Sequence, residues 1–430
     1  MSVSAVFARL IAMIGAAMIL MRRWGADTAV PAVGAAPAVP QARPQTIPTL
    51  KMPTAKGWAP GHMPTPAPGL KVNAFATGLN HPRSLEVLPN GDVLTAEAMF
   101  TPGGIRNAFD YAMYVTMKRA AATGDSPNRV ILLRDADGDG VAELQETFLE
   151  GQNQPFGLAW ADGRLYLGNT DALMEFPFTP GPTRLTTPGR KLASFKSGGH
   201  WTRSLILSPD RTRLYIGVGS LSNIADEGFA AEEGRAQIQE YDLASGTIRP
   251  FATGLRNPVG MAWTPDGTLF TVVNERDGLG DETPPDYLTS VRDGGFYGWP
   301  YCYWGQIVDD RVPQDVARVA QAIRPDYALG GHTASLGLCW MPAGTLPGFP
   351  DGMVIGQHGS WNRSKLSGYR VIFVPFVDGR PAGEARVILD GFLSPDEKYS
   401  YGRPVGVALK DGALLVADDV GNVIWRVTGA

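Results

Sequence analysis

The 430-residue sequence contains only two cysteines, Cys302 and Cys339, which excludes a disulfide framework and a cysteine-based zinc finger. Those two could form one disulfide in an oxidising compartment, or they could be buried free thiols. Charge is also scarce, because charged residues make up 19% of the chain and the net charge is −4. We therefore expect no nucleic-acid partner.

Long apolar runs are equally rare, and the clearest one lies at the N-terminus. Residues 1–21 are largely apolar, with Arg9 before the densest part and Arg22 and Arg23 after it. The run is short for a spanning helix and is typical of a secretory signal peptide or an uncleaved anchor. We therefore predict a signal peptide or N-terminal membrane anchor over residues 1–28. The expected location is the periplasm, either free or anchored to the inner membrane.

Glycine and proline, in contrast, are abundant, with 52 and 35 residues, as a fold dominated by turns requires. Residues 29–69 are rich in proline and alanine and have little periodicity, which indicates an extended linker. The rest of the chain repeats one unit six times: an apolar alternation, a turn that usually contains glycine, and a second apolar run. Alternation with period two around such a turn predicts a β-hairpin.

The six copies predict a repeat architecture. One four-stranded propeller blade takes about 40–50 residues, and the spacing of the copies leaves room for a blade plus insertions in each. We therefore predict an all-β fold, a six-bladed β-propeller over residues 70–430. A short helical insertion is expected between Arg106 and Gly124, where Phe109, Met113 and Met117 have helical spacing. The first core apolar residues of the copies are Leu85, Leu158, Leu205, Met261, Leu338 and Val407.

Polar residues recur a few positions before these core residues. Equivalent positions in a closed ring lie on the same rim, close to the axis, so imidazoles, guanidiniums and amides should converge at one end of a central channel. Such a mixture suits a polar, anionic ligand better than a purely structural contact. The residues are Asn80, His81, Gln152, Gln154, His200, Arg256, Asn257, His332, Thr333 and Arg403.

Two acidic segments are candidate metal sites. Asp135, Asp137 and Asp139, with Glu146 further on, match the pattern of a calcium-binding loop, here between two strands. The alternative is a solvated acidic turn without a metal. The segment 274–282 is dense in charge and glycine, so its carbonyls and carboxylates could hold a second Ca²⁺, or it could be a polar surface loop.

Several segments together resemble the quinoprotein sugar dehydrogenases, which depend on pyrroloquinoline quinone (PQQ), and L-sorbosone dehydrogenases in particular. The resemblance runs from about Asn73 to the C-terminus. It implies a six-bladed propeller that holds PQQ and Ca²⁺ at the channel mouth and oxidises an aldose or a sorbosone-type aldehyde at C1. Electrons would pass to an external quinone or cytochrome. The segments that carry it are GQNQPFGLAW, GGHWTRSL, GLRNPVGMAW, NERDGLGDE, DGGFYGWP, GGHTASLGL, HGSWNR and YGRPVGV.

The resemblance also assigns roles to individual residues. His200 matches the general base, Gln152 a polar contact near it, and Arg256 the group beside the reactive PQQ carbonyl. Asn257 matches a neighbouring cofactor contact, and Arg403 a guanidinium that pairs with a PQQ carboxylate. The family has an Asp where this chain has Gly199. The less direct matches are His332 or Thr333 for a family Thr, Arg363 or His358 for a family Lys, and Asn274, Asp277 and Asp281 for the calcium loop. Independently of the resemblance, Trp299 lies in a segment rich in aromatics and glycine that is suited to stacking on a flat ring or a sugar, or that only forms a tight blade corner.

Two other classes of function are compatible with a propeller. A metal-dependent lactonase or hydrolase would need several carboxylates on the rim, whereas this rim is mainly His, Arg, Gln and Asn. A propeller that only binds a glycan or a partner protein would have no need for cations at the channel mouth.

Overall fold

The structure is a computed structural model that describes residues 30–45, 49–105 and 108–430. The expected leader over residues 1–28 lies outside these residues. The predicted helical insertion is confirmed as α1 (Ala108–Arg119), and a second short helix, α2 (Val316–Gln321), begins after the N-cap Asp315. No helix in the described part of the chain is both long and apolar enough to cross a membrane.

Six antiparallel sheets, each with a core of four strands, form the fold, so the predicted six-bladed propeller is confirmed. Blade 1 contains Pro82–Val87, Val93–Glu97, Arg129–Arg134 and Leu144–Leu149, and blade 2 contains Gly157–Ala161, Arg164–Asn169, Ala172–Pro177 and Arg190–Ser194. Blade 3 contains Arg203–Leu207, Arg213–Val218, Gln237–Asp242 and Ile248–Thr253, and blade 4 contains Pro258–Trp263, Leu269–Val273, Pro285–Ser290 and Tyr327–Gly331. Blade 5 contains Ser335–Met341, Gly352–Gln357, Arg370–Val377 and Arg386–Asp390, and blade 6 contains Pro404–Lys410, Ala413–Asp418, Val423–Gly429 and Leu70–Ala76.

The first strand of each blade carries the core residue by which its repeat was recognised, and these strands contact one another in a closed ring. A glycine or serine precedes each of those core residues, because neighbouring inner strands approach closely there. A β-carbon on Gly337 would lie 2.0 Å from the Val405 carbonyl oxygen, and one on Gly406 would lie 2.4 Å from the Arg83 carbonyl oxygen. The small residue in the repeat is therefore a packing requirement of the ring.

An early strand of the chain completes the last blade. Leu70–Ala76 pairs with Val423–Gly429, so blade 6 takes its outermost strand from the segment that precedes blade 1. Next to this ladder, the Ala430 amide donates to the Gly69 carbonyl at 3.0 Å. The first and last blades therefore meet at a seam, defined here as the contact between blade 1 and blade 6.

Apolar side chains fill the spaces between adjacent blades, in six clusters that correspond to the six interfaces. Between blades 1 and 2, for example, Leu132 packs with Leu165 and Phe176. Between blades 6 and 1, Leu415 and Ile424 pack with Ile131. The period-two pattern in the sequence therefore corresponds to side chains that point alternately to the two faces of a twisted sheet, and both faces are covered by neighbouring blades.

The described part of the Pro/Ala-rich segment lies along the propeller. Val33–Gly34 pairs with the outer strand of blade 4, Thr65–Pro66 pairs with that of blade 5, and Thr54–Ala55 pairs in parallel with Tyr399–Ser400. The domain boundaries at residues 28 and 69 stay predictions. The remaining short strands are Gly295–Phe296, Cys302–Tyr303, Ile307–Val308 and Arg380–Pro381.

Both cysteines are free thiols, so the disulfide considered for Cys302 and Cys339 is absent from the structure. They lie in separate clusters, Cys302 beside Phe296 and Cys339 between blades 5 and 6. Burial raises the pKa of the Cys302 thiol to about 11 and that of Cys339 to about 12. Both are therefore protonated and unreactive at neutral pH.

Candidate active site

Two adjoining cavities open at the end of the channel where the inner strands begin. The larger, of about 450 Å³, is lined by rim residues of blades 1, 3, 4, 5 and 6. The smaller, of about 220 Å³, lies on the side of blades 4 and 5. We call them the rim cavity and the side cavity. The residues they share are His200, Asn257, Ala334, Leu336, His358 and Trp361.

His200 lies at the junction of the two cavities, just before the inner strand of blade 3. Its Nδ1 is 2.9 Å from the Ser220 carbonyl oxygen, which selects the tautomer with the proton on Nδ1 and leaves the Nε2 lone pair for the cavity. Burial, followed by the positive charge of Arg256, lowers the pKa of His200 to about 3. The imidazole is therefore neutral at physiological pH, with a lone pair and no proton on Nε2.

The backbone at Gly199 and Gly219 makes room for this arrangement. Gly199 has a φ of +59°, and a β-carbon there would lie 2.3 Å from the Leu221 carbonyl oxygen. A β-carbon on Gly219 would lie 2.2 Å from Asn257 Oδ1 and 2.6 Å from the His200 β-carbon. Where the resembling family has an Asp, this chain thus needs a residue without a side chain, and the Ser220 carbonyl orients the imidazole.

Arg256 lines the side cavity and is held by backbone oxygens. It donates to the Glu275 carbonyl at 2.7 Å and to the Asn274 carbonyl at 3.3 Å, and lies 3.5 Å from the Asp277 carboxylate. Two backbone carbonyls of the segment 274–282 are therefore bound to a guanidinium.

A partly buried carboxylate, Asp277, joins residues from blades 4 and 5. Its Oδ1 accepts from Asn362 Nδ2 at 2.6 Å and lies 3.5 Å from His332 Nδ1. Burial lowers the pKa of His332, but Asp277 and Asp286 outweigh it, and the net pKa is raised. His332 Nε2 in turn lies 2.9 Å from the Gly280 carbonyl oxygen. His332 is therefore a structural hydrogen-bonding residue of the side cavity.

Four oxygen atoms of the side cavity are buried and have no hydrogen-bond partner among the described residues. They are Oδ1 of Asn257, Asn274 and Asn362 and Oε1 of Glu275. Buried polar atoms are normally paired, and carboxylate and amide oxygens are the ligands that Ca²⁺ prefers. Burial raises the pKa of Glu275 to about 7, so a nearby cation would restore its charge. These residues fit a Ca²⁺ ion.

The opposite part of the rim cavity carries a group of arginines and histidines around Asp419, which follows the second strand of blade 6. The carboxylate pairs with Arg83, lies 3.1 Å from His81 Nε2 and 2.8 Å from His358 Nε2. Burial followed by the nearby Arg403 charge lowers the pKa of His358 to about 3, so this imidazole is neutral. We call Arg83, His81, His358, Arg403 and Asp419 the cationic cluster.

The cationic cluster has more positive than negative charge. Arg403 donates to the carbonyls of His358 and Gly359 at 2.9 and 2.7 Å and lies against the Tyr369 ring, so its charge is not neutralised by these contacts. Arg83 shares Asp419 with the histidines, and its Nε is buried without a partner among the described residues. Two guanidiniums beside one carboxylate fit an anionic ligand such as the carboxylates of PQQ.

Some residues expected at the site are bound elsewhere. Gln152 donates to the Glu150 carbonyl and accepts from Asn169, Arg363 pairs with Glu282, and Trp299 donates to the Asn223 carbonyl. The linings of the two cavities include none of these three, nor Thr333 or Asp281. Thr333 bonds to Asp286, and Asp281 to Ser364. Aromatic rings at the rim cavity come instead from Phe100, Trp201, Trp361 and Tyr369.

Arg83, Asp419 and Trp201 are site residues that the sequence pattern did not single out. Arg83 occupies the inner strand of blade 1 two residues before the core residue Leu85, where an unpaired charge would be excluded from a packed core. A charged residue at a core position of the repeat is therefore the sequence feature that indicates a role for Arg83. No such feature indicates Asp419, because it lies 336 residues away from Arg83 in the chain.

The acidic loop of blade 1 brings Asp135, Asp137 and Asp139 together, but with a different fourth residue. Glu143 completes the group, with one carboxylate oxygen of each residue within 4.8 Å of the others. Glu146 instead faces Arg184 at 3.6 Å, because it lies in the outer strand of the blade. The loop is largely exposed, and none of these residues lines either cavity.

Comparison with known proteins agrees with the cavity chemistry. Residues 125–313 match the family model TrAA12-like. A PQQ-dependent pyranose dehydrogenase from Coprinopsis cinerea is 25% identical over 256 residues, which are 49% of this chain and 35% of that protein. The chain is similar to PQQ-dependent sugar dehydrogenases. The alignment thus spans about a third of that longer relative, and the resemblance to PQQ-dependent sugar dehydrogenases is confirmed.

Solved structures share the propeller. The holo PQQ domain of the Coprinopsis cinerea pyranose dehydrogenase superposes with a TM-score of 0.69 at 20% identity, covering 88% of this chain and all of that domain. The iodide and calcium structures of the Trichoderma reesei Family AA12 enzyme give TM-scores of 0.70 and 0.67 at 21% identity. They cover 89% and 90% of this chain and 99% and 100% of the matched chains. At these identities the likeness concerns the fold.

Proposed function

We propose that the protein is a PQQ-dependent oxidoreductase that oxidises an aldose or a sorbosone-type aldehyde at C1. The observation that carries the proposal is His200, a neutral imidazole with its Nε2 toward a cavity whose other side carries an excess of positive charge. A proton acceptor beside an anion-binding surface is what oxidation of a hydroxyl with an anionic cofactor requires. The names of the similar proteins support the same chemistry.

Residues of both cavities would hold the cofactors. Arg83 and Arg403 would pair with PQQ carboxylates, and the unpaired oxygens of Asn257, Asn274 and Glu275 would bind Ca²⁺. When bound, PQQ supplies a quinone that accepts a hydride from the sugar C1.

The chain's own contribution to the reaction is a proton transfer. His200 Nε2 would accept the proton of the C1 hydroxyl while the Ser220 carbonyl holds Nδ1–H and fixes the ring. The Arg256 guanidinium adds positive charge at the side-cavity end, where negative charge develops during oxidation.

The location and the electron acceptor belong to the same proposal. We place the protein in the periplasm, with residues 1–28 as signal or anchor and thus a possible membrane association. There it would pass electrons to an external quinone or cytochrome.

Reconstitution tests the function. Protein treated with EDTA and freed of PQQ is assayed for dye reduction with a panel of aldoses and sorbosone, after addition of PQQ, Ca²⁺, both, or NAD. We expect activity only with PQQ and Ca²⁺ together. Activity with NAD alone, or hydrolysis of lactones by the metal-loaded protein without PQQ, would contradict the proposal.

A further inference from the structure

The rim cavity is lined by two kinds of surface that come from different parts of the chain. The ends of the blades supply the polar residues, His200 and the cationic cluster. Segments outside the blades supply apolar side chains. These are Met52, Pro53, Phe100, Met113 and Met117, which we call the methionine wall.

The methionine wall is held in place from two directions. Met113 and Met117 project from α1, which is inserted between the second and third strands of blade 1. Met52 belongs to the segment before the propeller. Next to it, the Lys51 ammonium donates to the Ser364 carbonyl at 2.8 Å and pairs with Glu397.

The backbone on both sides of Met52 is also fixed. The Lys51 amide donates to the Trp361 carbonyl at 2.9 Å, and Thr54–Ala55 pairs in parallel with Tyr399–Ser400. The segment around Met52 is therefore bound both to blade 5 and to the loop that precedes blade 6. These contacts hold the methionine wall in a defined position at the cavity.

An apolar wall discriminates between sugars. An unmodified aldose carries a hydroxyl on nearly every carbon, and a hydroxyl buried against methionine loses its bond to water without a replacement. A methyl or alkyl group at the same place is stabilised by leaving water. Methionine is flexible and polarisable, so it adapts to such groups.

We infer that the methionine wall determines substrate specificity: the preferred substrate is an aldose in which a hydroxyl remote from C1 is missing or alkylated. The inference rests on the proposed function, because it assumes that the substrate enters the cavity that His200 lines. His200 and the cationic cluster act on C1 and the cofactor, and the wall contacts the far side of the sugar.

The test compares D-glucose with 6-O-butyl-D-glucose on protein reconstituted with PQQ and Ca²⁺. We expect kcat/KM to be about 10-fold or more higher for the butyl sugar, the usual discrimination by apolar contact in a pocket. The double variant Met113→Gln/Met117→Gln should bring the ratio of the two kcat/KM values close to one. Gln matches Met in length and in helix propensity. Val115→Gln, on the exposed face of the same helix, is the control and should keep the preference.

A variant in a second segment of the wall and a binding measurement check the result obtained with the helix variants. Met52→Gln, outside the helix, should reduce the same preference, and the melting temperature of each variant shows whether it folds. Tryptophan fluorescence, which reports Trp201 and Trp361 in the cavity, gives the affinity for each sugar without turnover. The butyl sugar should bind more tightly to wild type than to the Gln variants.

The two proposals fail differently. If wild type oxidises both sugars with equal kcat/KM and the Gln variants change neither, the specificity inference is wrong and the function stands. If no sugar is oxidised with PQQ and Ca²⁺ although the butyl sugar binds more tightly to wild type than to the variants, the proposed oxidation is wrong and the role of the wall stands.

Discussion

His200 and His358 present opposite ring nitrogens to the same cavity. His200 is fixed through Nδ1 by a backbone carbonyl, and His358 through Nε2 by the Asp419 carboxylate. Both are neutral at physiological pH for the same main reason, burial. His200 lies close enough to Arg256 for that charge to act on it, whereas His358 is surrounded by Asp419, Arg403 and Arg83. His200 is therefore the residue that we expect to accept the substrate proton.

His200→Ala should therefore lower kcat by roughly 10²–10⁴, the contribution of a positioned general base. Binding of PQQ, measured by fluorescence titration of the apo-protein, should stay close to wild type. His62→Ala, an exposed histidine outside both cavities, is the control. A variant at position 200 with wild-type turnover would shift the role of base to His358.

Arg403 should contribute to cofactor affinity more than to turnover, because its contact with a carboxylate is the same before and during the reaction. Arg403→Ala should weaken PQQ binding by roughly 2–5 kcal/mol, and Arg403→Lys should recover only part of it, since an ammonium lacks the planar fork. The measurements are a PQQ titration and melting curves with and without PQQ. A lower melting temperature with an unchanged titration midpoint would make Arg403 a structural residue only.

His358 should make the apo-protein less stable in acid. Its pKa of about 3 in the folded state lies below the ordinary value of 6.5, so between these values the unfolded chain binds a proton that the folded chain does not. The stability contributed by neutral His358 is complete above pH 6.5 and falls as the pH decreases, by at most about 1.4 kcal/mol per pH unit. The groups around this imidazole are Asp419, Arg403 and Arg83.

The measurement is the free energy of unfolding of the apo-protein between pH 7 and pH 4.5. His358→Gln keeps an N–H donor for Asp419 but cannot titrate, so its stability should fall less steeply with decreasing pH than that of wild type. His62→Gln should follow the wild-type curve. Parallel curves for wild type and His358→Gln would show that His358 does not bind a proton on unfolding.

At the scale of elements, each blade depends on a small residue in its inner strand. Gly337→Ala should lower the free energy of unfolding by roughly 1–3 kcal/mol, because the added methyl group meets the Val405 backbone oxygen and not a movable side chain. Gly103→Ala, in open space on a loop, should have little effect. Equal stability of the two variants, measured by chemical denaturation, would mean that the inner strands can separate at no cost.

The blades, their order and α1 could be predicted because their information is local. Alternation, turn residues and helical spacing all act within one hairpin or one helix. The rim was predictable from the repeat, which correctly placed His200, Arg256, Asn257 and Arg403 at the cavities. The contacts of Gln152, Arg363 and Trp299 could not be predicted. A position on the rim determines where the side chain is attached to the backbone, and not which neighbouring group it binds.

On the scale of the whole molecule, the site is assembled across the seam. Arg83 and His81 come from the start of blade 1, whereas Arg403 and Asp419 come from blade 6. A ligand bound to both sides should hold the seam closed and stabilise the folded state by mass action.

Hydrogen exchange measures the stabilisation of the seam by the ligand directly. Saturating PQQ with Ca²⁺ should slow amide exchange in Leu70–Ala76, which closes blade 6, more than in Ala172–Pro177 of blade 2. Exchange that slows equally in both strands would show that the ligand stabilises the propeller uniformly.

Blade 6 takes its outermost strand from the segment before blade 1, so during biosynthesis it is completed only after the other blades have been made. The strand Leu70–Ala76 is made before any blade, whereas its partner Val423–Gly429 is made only after the first strands of all six blades. While the intervening blades are translated, this strand has an unpaired edge that could bind other chains. The two arginines that we expect to bind PQQ also meet only when the ring closes, so a nascent chain would have no complete cofactor site. We therefore expect cofactor loading to follow the synthesis of blade 6.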